Sequence, residues 1–436
     1  MQPSITPWIS SVSSWARQVI LLSKKVADHI ASWGSNWGLL DLRVDEKEGV
    51  ALVSGYSKMQ DQKLSVETPW MKRHYLWSYD KRPDLAVWYR VNPDIHEAHD
   101  AARRHRARIA LEYFKSSVPS GWMSPGERSL PVLAVSGAGA EAVWSCWWIS
   151  KEGAVPALLH IVDEDASPLD FLRPGWPLDD MADASVTLLG TGSIGSAVAE
   201  SLASYGIRHI RLVDPDRYLQ HNVVRHQLPD RFIGQHKVSA MRQVLINRWP
   251  DLIVEALPFD VIVDADVLRP ILQESTVAIC TTDGVTSRRV VNHLAKRAEI
   301  PLVLACVLED GGYGEVLRVK PSAGCLLCHR EMLVDAGSLD PEPSLDHDYG
   351  TGTRHLPMTA VGGDLALVGD LAAKVTVATI LEQEGHWSQR LPGEQALVAL
   401  RPLPDLPAPF DMERSGGTRW SPAWAAKPDC PTCSAP

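Results

Sequence analysis

No run in this 436-residue sequence approaches the ~20 apolar residues that a membrane-crossing helix needs, so no membrane span is expected. Basic residues are not in excess either: 43 Lys and Arg stand against 53 Asp and Glu, a net charge of −10. That balance excludes a dedicated nucleic-acid binder with a basic face, while leaving room for a local basic pocket around phosphates. The first residues lack the basic start, continuous apolar core and small-residue cleavage site of a secretory signal. Trp15, Val19, Ile20 and Leu22 instead recur there at helical spacing, which predicts an amphipathic helix docked on its own domain, with membrane-surface binding as the alternative. Cysteine is scarce, at seven residues. Four of them form two distant C-x-x-C pairs, Cys325-Leu-Leu-Cys328 and Cys430-Pro-Thr-Cys433. Without a secretion signal, that pattern favours a metal over disulfides and a cytoplasmic location.

The length calls for two or three domains, and the 45% hydrophobic and 22% charged content is that of folded protein. The first part, to about residue 175, carries most of the 16 tryptophans and no catalytic motif. His96–Ser116 reads as a helix. Ala142–Ser150 and Val155–Ile161 read as two strands of a hairpin turned by Lys151-Glu152-Gly153. Val135-Ser-Gly-Ala-Gly139 has two glycines of a nucleotide-binding turn and lacks the third. Acid and proline in Asp163–Asp183 read as a linker. Short apolar strands then alternate with helices. Ser185–Leu189, Ile210–Val213, Val277–Cys280 and Leu302–Leu304 are the strands; Ser196–Tyr205, Lys237–Arg248 and Arg288–Ala298 are the helices. Such alternation predicts a mostly parallel sheet covered by helices.

Gly190-Thr-Gly192-Ser-Ile-Gly195 lies between the first of these strands and a helix. Its glycines permit a tight turn, and the helix N-terminus offers N–H groups to a phosphate. Asp214 ends the next strand, where a carboxylate accepts hydrogen bonds from ribose hydroxyls. Asn222, Arg225 and Lys237 follow within one short stretch. Two cations there suit a triphosphate better than a dinucleotide, although each alone would pass for a solvated surface group. Asp283 closes the strand VAICTTD, placed either to hold Mg²⁺ or to cap the following helix.

GTGSIG, LVDPD, NVVRHQ, GQHK, TTDGVTSRR and the two C-x-x-C pairs, in this order, resemble the ThiF/MoeB and ubiquitin-activating (E1-like) enzymes over roughly Ala184–Cys433. The resemblance implies ATP-dependent adenylation of the C-terminal carboxylate of a ubiquitin-like or sulfur-carrier protein with a Gly-Gly tail. It assigns Gly190, Gly192 and Gly195 to the nucleotide loop and Asp214 to the ribose. Asn222, Arg225 and Lys237 fall to the phosphates, and Asp283 to Mg²⁺. It also implies a homodimer and a conjugating enzyme or sulfur donor downstream. Four thiolates in two knuckles form a closed tetrahedral zinc site, a structural one, tying the chain end to the strand end near Lys320. His329 beside them reads as a surface neighbour.

The sequence departs from the family at His226 and lacks a recognisable Arg-Tyr-x-Arg-Gln segment, for which Arg173 is a speculative substitute. It has no cysteine between Cys328 and Cys430, where some members place a thioester nucleophile. Cys146, Cys280 and Cys306 look like core residues, and Met332–Met358 reads as a crossover lid. The expected architecture is α/β: a Rossmann-like, mostly parallel sheet with a zinc site over residues 180–436, plus an N-terminal α+β domain of unknown fold over residues 1–175. The competing functions are a nicotinamide-dependent oxidoreductase, an inert scaffold of the same fold, and a relative that adenylates a carboxylate on RNA.

Overall fold

The computed structural model describes residues 5–7, 19–58, 64–78, 82–308, 311–338 and 360–434. The chain forms two compact units, Met1–Ala166 and Ser167–Pro436. No helix among the described residues is long and apolar enough to cross a membrane.

In the first unit a ten-stranded sheet comprises β1 (Ile5–Pro7), β2 (Val19–Ser23), β3 (Trp37–Asp45), β4 (Val50–Tyr56), β5 (Leu64–Ser65), β6 (Asp84–Arg90), β7 (Ala107–Ile109), β8 (Leu130–Ser136), β9 (Val143–Ser150) and β10 (Gly153–Val162). Among the described residues, four helices accompany it: α1 (Lys24–Ser32), α2 (Pro69–Arg73), α3 (Asp94–Arg104) and α4 (Leu111–Ser116). β10 pairs β9 through Gly153–Ala157 and β2 through Leu158–Val162, so the pairings β10-β2-β4-β3-β6-β8-β9 close into a ring. Alternate residues of the strands enter different cores. Trp88, Leu133 and Cys146 join α1 residues in one, while Tyr89, Val132 and Trp147 join Ile95 of α3 and Phe114 of α4 in the other. Both faces are therefore buried.

That double burial corrects the helix expected around Val19, Ile20 and Leu22. These β-branched and aliphatic residues form β2, a strand hydrogen-bonded on both sides in parallel to β10 and β4; Trp15 lies outside the described residues. The expected helix over His96–Ser116 is also broken. α3 stops at Arg104, Arg106 takes a left-handed φ of 48°, and β7 then pairs with β1 and β10. The expected hairpin of β9 and β10 is present.

In the second unit eight strands are β11 (Ser185–Leu189), β12 (His209–Val213), β13 (Ile253–Leu257), β14 (Val277–Cys280), β15 (Leu302–Leu308), β16 (Tyr313–Val319), β17 (Gln395–Ala399) and β18 (Thr418–Ser421). The helices are α5 (Ser193–Tyr205), α6 (Lys237–Arg248), α7 (Ala265–Gln273), α8 (Val285–Arg297), α9 (Leu326–Asp335) and α10 (Gly362–Gln383). The sheet order is β13-β12-β11-β14-β15-β16-β17-β18, parallel through β15 and antiparallel beyond it. Helices α5, α6 and α10 cover one face, around Val198, Met241 and Val368. Helices α7, α8 and α9 cover the other, around Leu268, Val291 and Leu326. The stretch expected as a linker packs here from Trp176 onward: Trp176 Nε1 donates to Tyr205 O at 2.8 Å, and Leu178 and Met181 are core residues. Chain progression leaves β11 in opposite directions, to β12 and to β14. The carboxyl ends of these neighbouring strands flank the crevice where open α/β sheets bind ligands.

Candidate functional site

At the end of β11 the chain turns through Gly190, whose φ is 93°. A side chain at Gly190 would sit 2.9 Å from the Thr281–Thr282 peptide, and one at Gly195 would collide with Gly190 O and Thr281 Oγ1. Both glycines are thus demanded by the loop's own packing. Gly192 is different: a side chain there would meet nothing within 4 Å. It faces open space at the N-cap of α5.

Thr191 is the pivot of the loop. It is fully buried; its N–H donates to Asp214 Oδ2 at 2.7 Å, and its carbonyl accepts from His226 Nε2 at 2.8 Å. Asp214 accepts a second bond from Asp216 N at 2.9 Å. Burial pushes the Asp214 carboxyl above its usual range, opposed by the charge of Lys237. Lys237 opens α6 with its backbone N–H on Asp216 O (2.9 Å) and its ammonium on Asp216 Oδ2 (2.7 Å). Asp216, rather than Asp214, is its direct partner. Asn222 is buried, and its Oδ1 accepts from Leu219 N at 2.8 Å, shaping the loop that presents Arg225.

Arg225 is half-buried, and its Nε is enclosed without an acceptor among the described residues. Its backbone packs against the start of α10, where a side chain at Gly362 would come within 3.1 Å of Arg225 Cα. Across the crevice, Thr281 at the end of β14 donates to Gly190 O at 2.6 Å. Asp283 follows on an exposed turn, with its carbonyl accepting from Arg288 Nη2 at 2.9 Å. The N-cap of α8 is Gly284, with no side-chain cap, so the capping role considered for Asp283 is not found. The Nε of Arg288 and the Oγ1 of Thr191 are also enclosed without partners among the described residues.

The glycine loop, Asp214, Asn222, Arg225, Lys237 and Asp283 therefore share one end of the sheet. The motifs in the sequence assign no role to Thr191 or Asp216, and they mark His226 only as a departure from the family pattern. Asp216 could have been found from the DPD spacing. His226, a departure from the family pattern, holds the loop: Nε2–H donates to Thr191 O while Nδ1 accepts from Leu228 N at 3.1 Å. Burial, assisted by Lys237 and Arg225, lowers its pKa to about 4 and keeps it neutral. Arg173 is held within its own segment by Asp170 (2.8 Å) and Asp179 (2.5 Å). Of the expected crossover lid, residues 339–358 lie outside the described residues.

Cys325, Cys328, Cys430 and Cys433 place their sulfurs within 4.8 Å of one another. The separations Cys325–Cys328 (4.0 Å), Cys325–Cys430 (3.5 Å) and Cys328–Cys433 (3.8 Å) bracket the edge of about 3.8 Å expected for zinc–sulfur bonds of about 2.3 Å in a tetrahedron. Cys325 is the N-cap of α9 and Cys328 lies in its first turn, where the helix dipole favours thiolates. Lys427 N donates to Cys328 Sγ at 3.3 Å, and Asn292 Oδ1 accepts from Leu326 N at 3.0 Å. The donor set fits zinc. His329 is not the surface neighbour expected: it is fully buried and packs on Trp424 with ring centres 4.4 Å apart.

The ThiF family model matches residues 166–388, just over half of the chain. The chain belongs to the ThiF family. This ThiF-family match begins at Ala166, the last residue of the first unit, and leaves the rest of that unit outside it. The chain is 27% identical over 169 residues to the molybdopterin-synthase adenylyltransferase of Escherichia coli K12, covering 37% of this chain and 67% of that one. It is 28% identical over 163 residues to the sulfur carrier protein ThiS adenylyltransferase of Bacillus subtilis 168, of which it spans 47%. Likeness to the SAMP-activating enzyme E1 of Haloferax volcanii is 24% over 256 residues, 57% of this chain and 86% of that one. Among solved structures, E. coli MccB with ATP aligns at a TM-score of 0.43 and 18% identity, over 59% of this chain and 68% of that one.

Proposed function

We propose that this chain uses Mg-ATP to adenylate the C-terminal carboxylate of a ubiquitin-like or sulfur-carrier protein, one with a Gly-Gly tail. The observation that carries the reading is the single hydrogen-bonded assembly of glycine loop, Asp214, Asp216, Lys237 and His226 in a ThiF-family domain. The sheet is read as a Rossmann-like nucleotide fold. Gly192 lets the backbone approach the nucleotide, and the ribose hydroxyls donate to Asp214. Asn222, Arg225 and Lys237 neutralise the phosphates; the unmet Nε of Arg225 supports that assignment. Asp283, exposed at the carboxyl end of a parallel strand, would hold the Mg²⁺ that screens the phosphates. The four cysteines would hold a structural zinc ion.

The carrier's carboxylate, ionised at neutral pH, needs no general base. Its oxygen bonds to the α-phosphorus as the bond to pyrophosphate breaks. The chain contributes positioning and charge stabilisation rather than covalent chemistry. A homodimer, a conjugating enzyme or sulfur donor downstream, and a cytoplasmic location belong to the same reading.

ATP–pyrophosphate exchange with purified Gly-Gly-tailed carriers tests it. Exchange should depend on the carrier and fall about 100- to 1000-fold in Asp283→Ala, with unchanged melting because Asp283 is exposed. ATP binding without exchange, for every carrier, would instead favour the inert scaffold.

A further inference from the structure

Helix α8 touches both the Asp283 turn and the cysteine cluster of the second unit. Arg288, Asn292 and Lys296 recur on it at intervals of four residues, so they form one stripe along a single face of this 13-residue helix. At 1.5 Å per residue the stripe runs for about 12 Å.

At its start the helix holds the Asp283 turn. Arg288 Nη2 donates to Asp283 O at 2.9 Å, and Ser287 Oγ lies 2.8 Å from Thr282 Oγ1 and 2.9 Å from Gly284 O. Farther along it holds the cysteine knuckle. Asn292 is fully buried, and its Oδ1 accepts at 3.0 Å from Leu326 N, a first-turn N–H of α9 that has no acceptor within its own helix. Lys296 Nζ donates to Pro321 O (2.7 Å) and Ala323 O (2.9 Å) in the loop that leads into Cys325. The Nδ2 of Asn292 is enclosed without an oxygen or nitrogen acceptor among the described residues. It bears on the Cys325 sulfur: burial raises that thiol, and the Asn292 amide opposes the rise. Outer donors of this kind orient metal ligands. Between the two ends, Val291, Leu294 and Ala295 seat the helix in the core. A packed helix of this length carries a shift at one end to the other.

We propose, resting on the adenylation reading above, that Asn292 and Lys296 are positioning residues for nucleotide binding. They hold α8 against the zinc knuckle and thereby set the place of the Asp283 turn that receives Mg²⁺. The knuckle then does more than close the chain end: its hold on α8 is coupled to the metal-dependent part of ATP affinity.

The test measures ATP affinity of the zinc-loaded full chain by calorimetry, with and without Mg²⁺. A separate titration follows zinc retention against a competing chelator. Mg²⁺ should tighten ATP at least about fivefold in wild type. Asp283→Ala and Asn292→Ala should each cut that gain to about twofold or less, and the double variant should lose no more than either alone. Affinity for ATP without Mg²⁺ should stay within about twofold throughout, because the glycine loop opens a different helix, α5. Asn292→Ala should also weaken zinc about tenfold or more, whereas Asp283→Ala should leave zinc unchanged. Lys296→Met should cut the Mg²⁺ gain at least about twofold. Lys296→Arg, which keeps a cation for the two carbonyls, should restore it. If Asp283→Ala removes the gain while the Asn292 and Lys296 variants keep it, the coupling is overturned and the adenylation reading stands. If Asp283→Ala itself keeps the gain, the Mg²⁺ assignment of that reading fails and the proposal with it. Lys296 is half-buried in the last turn of the helix, so its two variants decide even where Asn292→Ala does not fold.

Discussion

Arg90 of the first unit and Arg225 of the second show how the two units spend buried polar groups. The Arg90 guanidinium donates to the carbonyls of Ser35, Gly137, Ala31 and Trp33. In the same unit His99 Nε2 lies between the carbonyls of Cys146 and Ala157 (3.0 and 3.1 Å), where β9 and β10 pair, and Trp88 Nε1 is bound to Ser57 O. These groups complete backbone bonding in a sheet buried on both faces. Among the described residues, Arg225 instead encloses an Nε with no acceptor, as do Arg288 and, with its Oγ1, Thr191, all at the carboxyl end of parallel strands. Unmet hydrogen-bonding capacity is costly unless something arrives to use it. The second unit gathers such capacity at one end of its sheet, whereas Arg90, His99 and Trp88 of the first have spent theirs, leaving atoms such as His96 Nε2 unmet there instead.

The largest test of this contrast is the chain's one cysteine cluster. Removing metal from Cys325, Cys328, Cys430 and Cys433 with a strong chelator should release the segment around Trp424 from α9. Structural zinc sites bind with about 10 kcal/mol or more, and that energy is folding energy. The second unit's melting transition should therefore fall steeply or vanish, while the first unit, whose only cysteine is Cys146, melts as before. Calorimetry with metal analysis checks both: one zinc per chain, and loss confined to one transition.

Next in size is the exchange of roles between the two arginines. Arg225→Ala should lower pyrophosphate exchange about 100-fold with little change in melting. Arg90→Ala should do the reverse, costing about 1–2 kcal/mol of the first unit's stability as part-buried carbonyls lose a charged donor. If Arg225→Ala destabilises as much as Arg90→Ala, the site reading of Arg225 fails.

How much of this was legible in the sequence follows from the same physics. The parallel strands β11, β12 and β14 stood out because each is a short apolar run ending in glycine or aspartate. β16 did not, because Glu315 and Arg318 interrupt it with charge. Glu315 is buried against Arg330 of α9, and Arg318 against Glu394 and Glu382. Only the folded sheet shows that these charges are paired. α10 escaped because it is apolar on nearly every side, leaving no amphipathic period to read. β2 was read as a helix for the related reason that a strand buried on both faces loses its alternation. In the site, glycines and aspartates announced themselves by spacing. The lock of His226 on Thr191 depends on two loops meeting in space, which spacing does not encode.

His226 offers the smallest and sharpest comparison, because His96 of the first unit has the same lowered pKa, about 4, from burial. His96 bonds Ser145 Oγ through Nδ1 (2.9 Å), and its Nε2 is enclosed without a partner among the described residues. His226 uses both nitrogens, one donating and one accepting, which only the neutral ring can do. Its folded pKa lies below the ordinary value of 6.5, so between pH 6.5 and about 4 the unfolded chain binds more protons than the folded one. Its contribution is thus present above pH 6.5 and is lost as the pH falls through that window. Between pH 7 and 5 the loss is about 2 kcal/mol. His226→Gln cannot titrate, so urea unfolding of the second unit should lose about 2 kcal/mol of its stability difference between those pH values. The first unit's pH dependence should be untouched by the substitution. If the second unit keeps its full pH dependence in His226→Gln, the proton is taken up elsewhere and the neutral lock on Thr191 is not what sets the loop's stability.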